Sequence, residues 1–235
     1  MAREFAARGC SLVLSGRNQQ GLESLAGELG GEVLLADLTD AADVLRVADR
    51  AATVDILICN AGTGGDVKLP NETVEHIDQL IDVNLRAPLV LTTRFAQDKL
   101  AAGQRAHVVL IGSLSGLAPT PDTRLYNGTK FGLRGFGLSL AQDLDGTCVG
   151  VSLVEPGFIR EAGMFAEGGV ALPKAVRTKS PHDVALGVVA AIEKNRAEVF
   201  VSPVELRASA TFATVAPTIS AWVQKRLGVA DMKGV

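Results

Sequence analysis

Apolar and polar positions fall into alternating blocks along this chain. Continuous apolar runs at 11–15, 32–36, 55–59, 107–111, 150–154 and 198–201 predict strands covered on both faces. Between them, helical patterns span roughly 18–29, 40–52, 73–101, 124–145 and 181–194. Strand–helix alternation at this spacing implies right-handed crossovers and a doubly wound parallel sheet, an α/β fold. Residues 2–8 also read as a helix, with Gly9 as its natural cap. No repeat, low-complexity tract or linker interrupts the pattern. One domain is therefore expected over 1–203, with a helical tail, broken by Pro217, packed on it over 204–235.

Composition adds limits. An apolar share of 47% with only 4% aromatic residues implies a core of Ala, Val, Leu and Ile, and 235 residues suffice for one α/β domain. A net charge of -3, with no basic cluster longer than Gln224-Lys225-Arg226, argues against nucleic acid or an anionic membrane as partner. Cys10, Cys59 and Cys148 border apolar runs and read as buried, reduced thiols. His76, His107 and His182 lack ligand spacing, so no metal site is expected. Residues 1–5 carry charge where a leader would be apolar, and no run approaches the ~20 apolar residues of a membrane span. A cytoplasmic setting follows.

The candidate chemistry centres on Tyr126, the only tyrosine, four residues before Lys130. On a helix these share one face, and a nearby ammonium is expected to lower a phenol's pKa from about 10 towards the range where it exchanges protons. Ser113 precedes them in Ile111-Gly112-Ser113-Leu114-Ser115-Gly116, with Ser115 as its rival. Asn84 falls on the stripe Ile77, Ile81, Pro88, Leu91, Phe95, where a buried amide needs partners.

Asn60-Ala61-Gly62 after a strand, Asn84, Ser113, Tyr126-x3-Lys130 and Pro156-Gly157, in this order, resemble the short-chain dehydrogenase/reductase family over nearly the whole chain. The resemblance implies a Rossmann-like fold and hydride transfer between a nicotinamide cofactor and a carbonyl or alcohol carbon. Tyr126 would be the general acid/base, Ser113 would hold the substrate oxygen, and Lys130 would bind the nicotinamide ribose. Asn84 would hold a water in a proton relay; its alternative is a local helix irregularity. Asn60, Ala61 and Gly62 would line the adenine ribose, Asp37 would meet the adenine amino group or cap a helix, and Pro156, Gly157 and Ile159 would contact the nicotinamide or form a plain turn. Arg17 follows the first predicted strand where an acidic residue would select NAD, which favours NADP, with NAD or a merely solvated arginine as the alternatives.

Two departures stand out. The family's glycine-rich phosphate loop and the strand before it have no counterpart here, so the chain reads as truncated relative to the pattern. A sheet lacking that central strand is expected to be destabilised, since each unpartnered buried backbone group costs about 1–3 kcal/mol against a total of about 5–15 kcal/mol. Arg160-Glu161 stand where a threonine is usual. Residues 161–178, mixing glycines with Met164, Phe165 and Leu172, read as a lid over an apolar substrate. The tail reads as packing, a partner interface or a weak membrane contact. The expected function is an oxidoreductase of small apolar alcohols or carbonyls, a homo-oligomer (dimer or tetramer). A non-catalytic truncated relative acting as a binding or assembly module is the alternative. An isomerase or dehydratase of the larger relatives is disfavoured by length.

Overall fold

The computed structural model describes residues 1–65, 67–161 and 177–226. Six strands are present: β1 (Val13–Gly16), β2 (Glu32–Leu35), β3 (Ile56–Cys59), β4 (Ala106–Ile111), β5 (Val149–Pro156) and β6 (Glu198–Val201). The helices are α1 (Ala2–Ala7), α2 (Gln19–Leu29), α3 (Ala41–Ala51), α4 (Val74–Ile81), α5 (Ala87–Ala102), α6 (Arg124–Asp143), α7 (Pro181–Glu193), α8 (Val204–Val215) and α9 (Pro217–Arg226). Every strand pair is parallel, as the crossover helices require.

Local chemistry explains most boundaries. Gly9 takes φ 81° after α1, letting Gly9 N–H reach Ala6 O at 2.9 Å and Cys10 N–H reach Phe5 O at 3.1 Å, a paired C-terminal cap. Asp40 opens α3 by accepting from the Ala42 amide at 2.7 Å. Ser180 and Asp183 form a reciprocal capping box on α7, with Pro181 in the first turn.

The strands form two ladders, β1-β2 and β3-β4-β5-β6, and among the described residues none joins β1 to β3. Shared helical layers hold the two ladders together. On one face Ala36, Val44 and Val47 belong to the same core as Cys59, Leu91, Phe95, Leu110 and Leu153. On the other, Phe5 packs with Val109, Val154 and Val188, against Leu12, Ile56 and Ile58. The incomplete pairing has a visible cost: Ile56, Leu57 and Ile58 are only half-buried, whereas Val108, Val109 and Leu110 in β4 are fully buried.

Two expectations need correction. The helix anticipated over 73–101 is α4 and α5 joined by a π turn, Asp82–Arg86. The wider turn rotates the stripe, so Ile81 is 40% exposed while Asn84 is fully buried. Cys10 is exposed, because it follows the α1 cap on the surface, whereas Cys59 is buried and Cys148 half-buried. The expected lid falls mainly on 162–176, outside the described residues.

The tail helices contact the loop after β4: Thr214 Oγ1 donates to Leu117 O at 2.9 Å, and Gln224 Nε2 donates to Pro119 O at 3.2 Å. Among the described residues no helix is long and apolar enough to cross a membrane, and no cluster of His, Cys, Asp or Glu is arranged to hold a metal.

Candidate active site

Because the strands are parallel, their carboxyl ends lie along one edge, and the candidate residues follow β1, β2, β3, β4 and β5 there. After β4 the chain turns at Gly112 and Ser113 into a short 3-10 turn, Leu114–Gly116, where Ser113 Oγ accepts from the Ser115 amide at 3.1 Å. Ser115 therefore supplies its amide to the turn, and Ser113 is the serine whose side chain hydrogen-bonds Tyr126. Gly116 must be small, since a Cβ there would stand 2.9 Å from the Lys130 carbonyl oxygen. Asn127 fixes the turn against α6 by donating to Ser115 O at 2.9 Å and Ala118 O at 2.8 Å. Sequence reasoning gave Asn127 no task.

Lys130 is 4% exposed, donates from Nζ to Ile111 O at 3.0 Å, and stands 5.7 Å from the Tyr126 ring centroid. The loop after β3 closes on the same group: a Cβ on Gly62 would lie 3.8 Å from Lys130 Nζ and 3.4 Å from Asn84 Oδ1. Asn84 is pinned on both sides. Its Oδ1 accepts from the Thr63 amide at 2.7 Å, and its Nδ2 donates to Thr63 O at 2.7 Å and Thr129 Oγ1 at 3.3 Å. The π turn delivers this amide inward, so the helix irregularity and the site contact are one feature.

Electrostatics correct one expectation. Tyr126 is pushed above the usual phenol value, chiefly by burial, with Glu155 adding to the rise and Ser113 opposing it. Lys130 does not overcome this, because burial lowers its own pKa to about 8. Glu155, which the sequence reading left just beyond the apolar run 150–154, is fully buried and pushed up to about 8 by burial, with Glu198 adding to the rise.

The remaining candidates form two groups. Pro156 ends β5, and Gly157 donates to Val201 O at 3.1 Å while a Cβ on it would lie 3.4 Å from Leu114 Cδ1, close to the Ser113 turn. Ile159 pairs with Lys179 in a short bridge, and Arg160 is tied to Glu161 at 2.8 Å. Arg17 and Asp37 lie apart from these, after β1 and β2, with 4.0 Å between Nη1 and Oδ2. Asp37 accepts from the amide and hydroxyl of Thr39, each at 2.9 Å, which lowers its pKa, and the capping task belongs to Asp40. A cleft of about 440 Å³ opens here, lined by Arg17, Asp37, Thr39, Glu75, Asp78, Gln79 and Asp82.

The family model described as short chain dehydrogenase matches residues 1–169. The chain is 30% identical over 162 residues to 3-oxoacyl-[acyl-carrier-protein] reductase FabG of Rickettsia bellii, covering 68% of this chain and 67% of that protein. It is 32% identical over 167 residues to the NADP-dependent 3-hydroxy acid dehydrogenase YdfG of Salmonella typhi, covering 68% of this chain and 66% of that protein. The chain thus spans about two thirds of these relatives' length. A short-chain dehydrogenase from Sphingobium yanoikuyae, solved in complex with NADPH, superposes with a TM-score of 0.78 at 26% identity, covering 98% of this chain and 89% of that one.

Proposed function

Since the chain belongs to the short-chain dehydrogenase family, we propose that it is an NADP-preferring oxidoreductase of small apolar alcohols or carbonyls, with Tyr126 as the general acid/base. The carrying observation is the convergence of a serine hydroxyl, a half-buried phenol and a buried ammonium on one sheet edge. The cofactor class is supported by the NADPH bound to the Sphingobium yanoikuyae relative.

The residues present fit a dinucleotide at two places. Lys130 spends one of its three donors on Ile111 O and faces the Gly62 backbone, so its remaining donors can meet ribose hydroxyls there. Arg17 stands beside the cleft at the other end, where a guanidinium can clamp a 2′-phosphate through paired hydrogen bonds. When bound, the cofactor supplies or accepts the hydride. Ser113 donates a hydrogen bond to the substrate oxygen and orients it. Tyr126 gives its phenolic proton to that oxygen during reduction and takes it back during oxidation. Asn84 holds the Thr63 loop and α6 in register, which keeps Lys130 aimed at the same pocket.

Fluorescence titration with NADPH, followed by loss of nicotinamide absorbance with a panel of small ketones, tests the reading. Saturable binding with turnover supports it; binding without turnover supports the alternative of a non-catalytic binding module, which the missing ladder between β1 and β3 favours. Arg17→Ala is expected to weaken NADPH binding by about 10–100-fold, the worth of a charge-assisted contact, and to leave NADH nearly unchanged. Equal loss for both cofactors would remove Arg17 from 2′-phosphate recognition. The carboxylates of Asp37, Glu75, Asp78 and Asp82 line the same cleft and repel a phosphate, so Arg17 is the cation there that can offset them.

A further inference from the structure

Glu155 is 0% exposed, neither of its carboxyl oxygens completes a hydrogen bond to a side chain, and the Ser113 backbone amide is the polar group that approaches it. Strand alternation aims it with Val151 and Leu153 at the α6 side of the sheet. There it presses on Gly112, where a Cβ would lie 2.6 Å from Glu155 Cδ and 2.7 Å from Oε1. Gly112 is the single residue between Ile111, whose carbonyl receives the Lys130 ammonium, and Ser113, which hydrogen-bonds Tyr126. The carboxyl therefore stands directly behind the proton-transfer groups.

The titratable and charged groups facing it are Tyr126, Lys130 and Arg134 from α6 and Glu198 from β6, the last two joined at 2.7 Å. On the opposite sheet face α7 presents Val184 and Val188, and α5 meets the far end of β5, where Cys148 Sγ lies 3.9 Å from Lys99 O. A buried carboxyl without a side-chain partner costs about 1–3 kcal/mol, so its presence here calls for a role.

We propose that Glu155 is a positioning residue of the proton-transfer site, a buried carboxyl that sets the charge balance behind Lys130 and keeps Tyr126 in its protonated, proton-donating form. Its purpose rests on the oxidoreductase reading, while its electrostatics do not. When ionised, it places a negative charge near the phenol, opposing phenolate, and it supports the ammonium of Lys130.

Tyr126 is the only tyrosine, so tyrosinate absorbance in the cofactor-free protein reports this one phenol. Glu155→Gln is expected to lower the titration midpoint by about 0.5–1 pH unit, and Glu155→Asp to retain the wild-type midpoint, with circular dichroism marking the pH range over which each protein stays folded. An unchanged midpoint in Glu155→Gln overturns the proposal. Should that variant not fold, carbon-13 NMR of the Tyr126 ring and the glutamate carboxyls in the wild-type protein decides. A Tyr126 ring carbon whose shift follows the titration of one glutamate carboxyl supports the proposal, and ring carbons insensitive to every carboxyl titration overturn it. Turnover measured separately keeps the two readings apart. A shifted midpoint without turnover upholds the charge coupling and removes the oxidoreductase reading; turnover with an unshifted midpoint does the reverse.

Discussion

Tyr126→Phe is expected to lower NADPH-dependent carbonyl reduction by about 10²–10⁴-fold while leaving NADPH affinity within about twofold. The substitution keeps the ring that stands 5.7 Å from Lys130 Nζ and removes only the hydroxyl that meets Ser113. Binding groups stay in place, and the hydroxyl assigned as proton donor is lost, so the loss belongs in kcat. The pH dependence has a definite sign. Burial raises Tyr126, so the phenol stays protonated through neutral pH, and reduction should not decline there for want of a donor. Decline begins as pH passes the Lys130 value of about 8, where the ammonium is lost. Stopped-flow single turnovers across pH check both points. Undiminished turnover in the phenylalanine variant would make another group the acid, with Ser113 the first to test.

The strands were legible because doubly covered strands leave continuous apolar runs, and five of the six end within one residue of the predicted end. The sixth, β5, extends two residues past its apolar run, because Glu155 and Pro156 belong to the ladder and pair with Phe200 and Val201. That miss matters: a carboxylate signals a strand end, so the one buried acid of the site was hidden in plain sequence. The long helix was misread at Asn84 for a related reason, since periodicity assumes a constant turn and a π turn changes it. Tyr126, Lys130 and Ser113 could be picked out because chemistry dictates their types and spacing. The direction of the Tyr126 shift could not, because it is decided by how deeply both partners are buried, and burial is a property of the packed layers. Asn127 and Thr129 were silent too. Their contacts, to Ala118 and Asn84, run to loops and helices that only the fold brings near.

Glu155→Leu is expected to stabilise the protein by about 1–3 kcal/mol at neutral pH, because leucine fills a similar volume and removes two oxygens without side-chain partners from the core. The pH dependence distinguishes this from generic repacking. The Glu155 pKa is raised from 4.5 in the unfolded chain to about 8 when folded, so its protonated form favours folding. That contribution is fully present below the unfolded value and is lost as pH rises through the folded one. Wild-type stability should therefore fall relative to the leucine variant between about pH 5 and pH 7, and the gap in Tm should widen by several degrees over that interval. Thermal melts at the two pH values measure it. A gap independent of pH would mean that the carboxyl titrates normally and reaches water. If the gap widens as expected while turnover falls, the acid is retained against its cost to the fold, which is the pattern expected where a site needs a charge that the core would otherwise exclude.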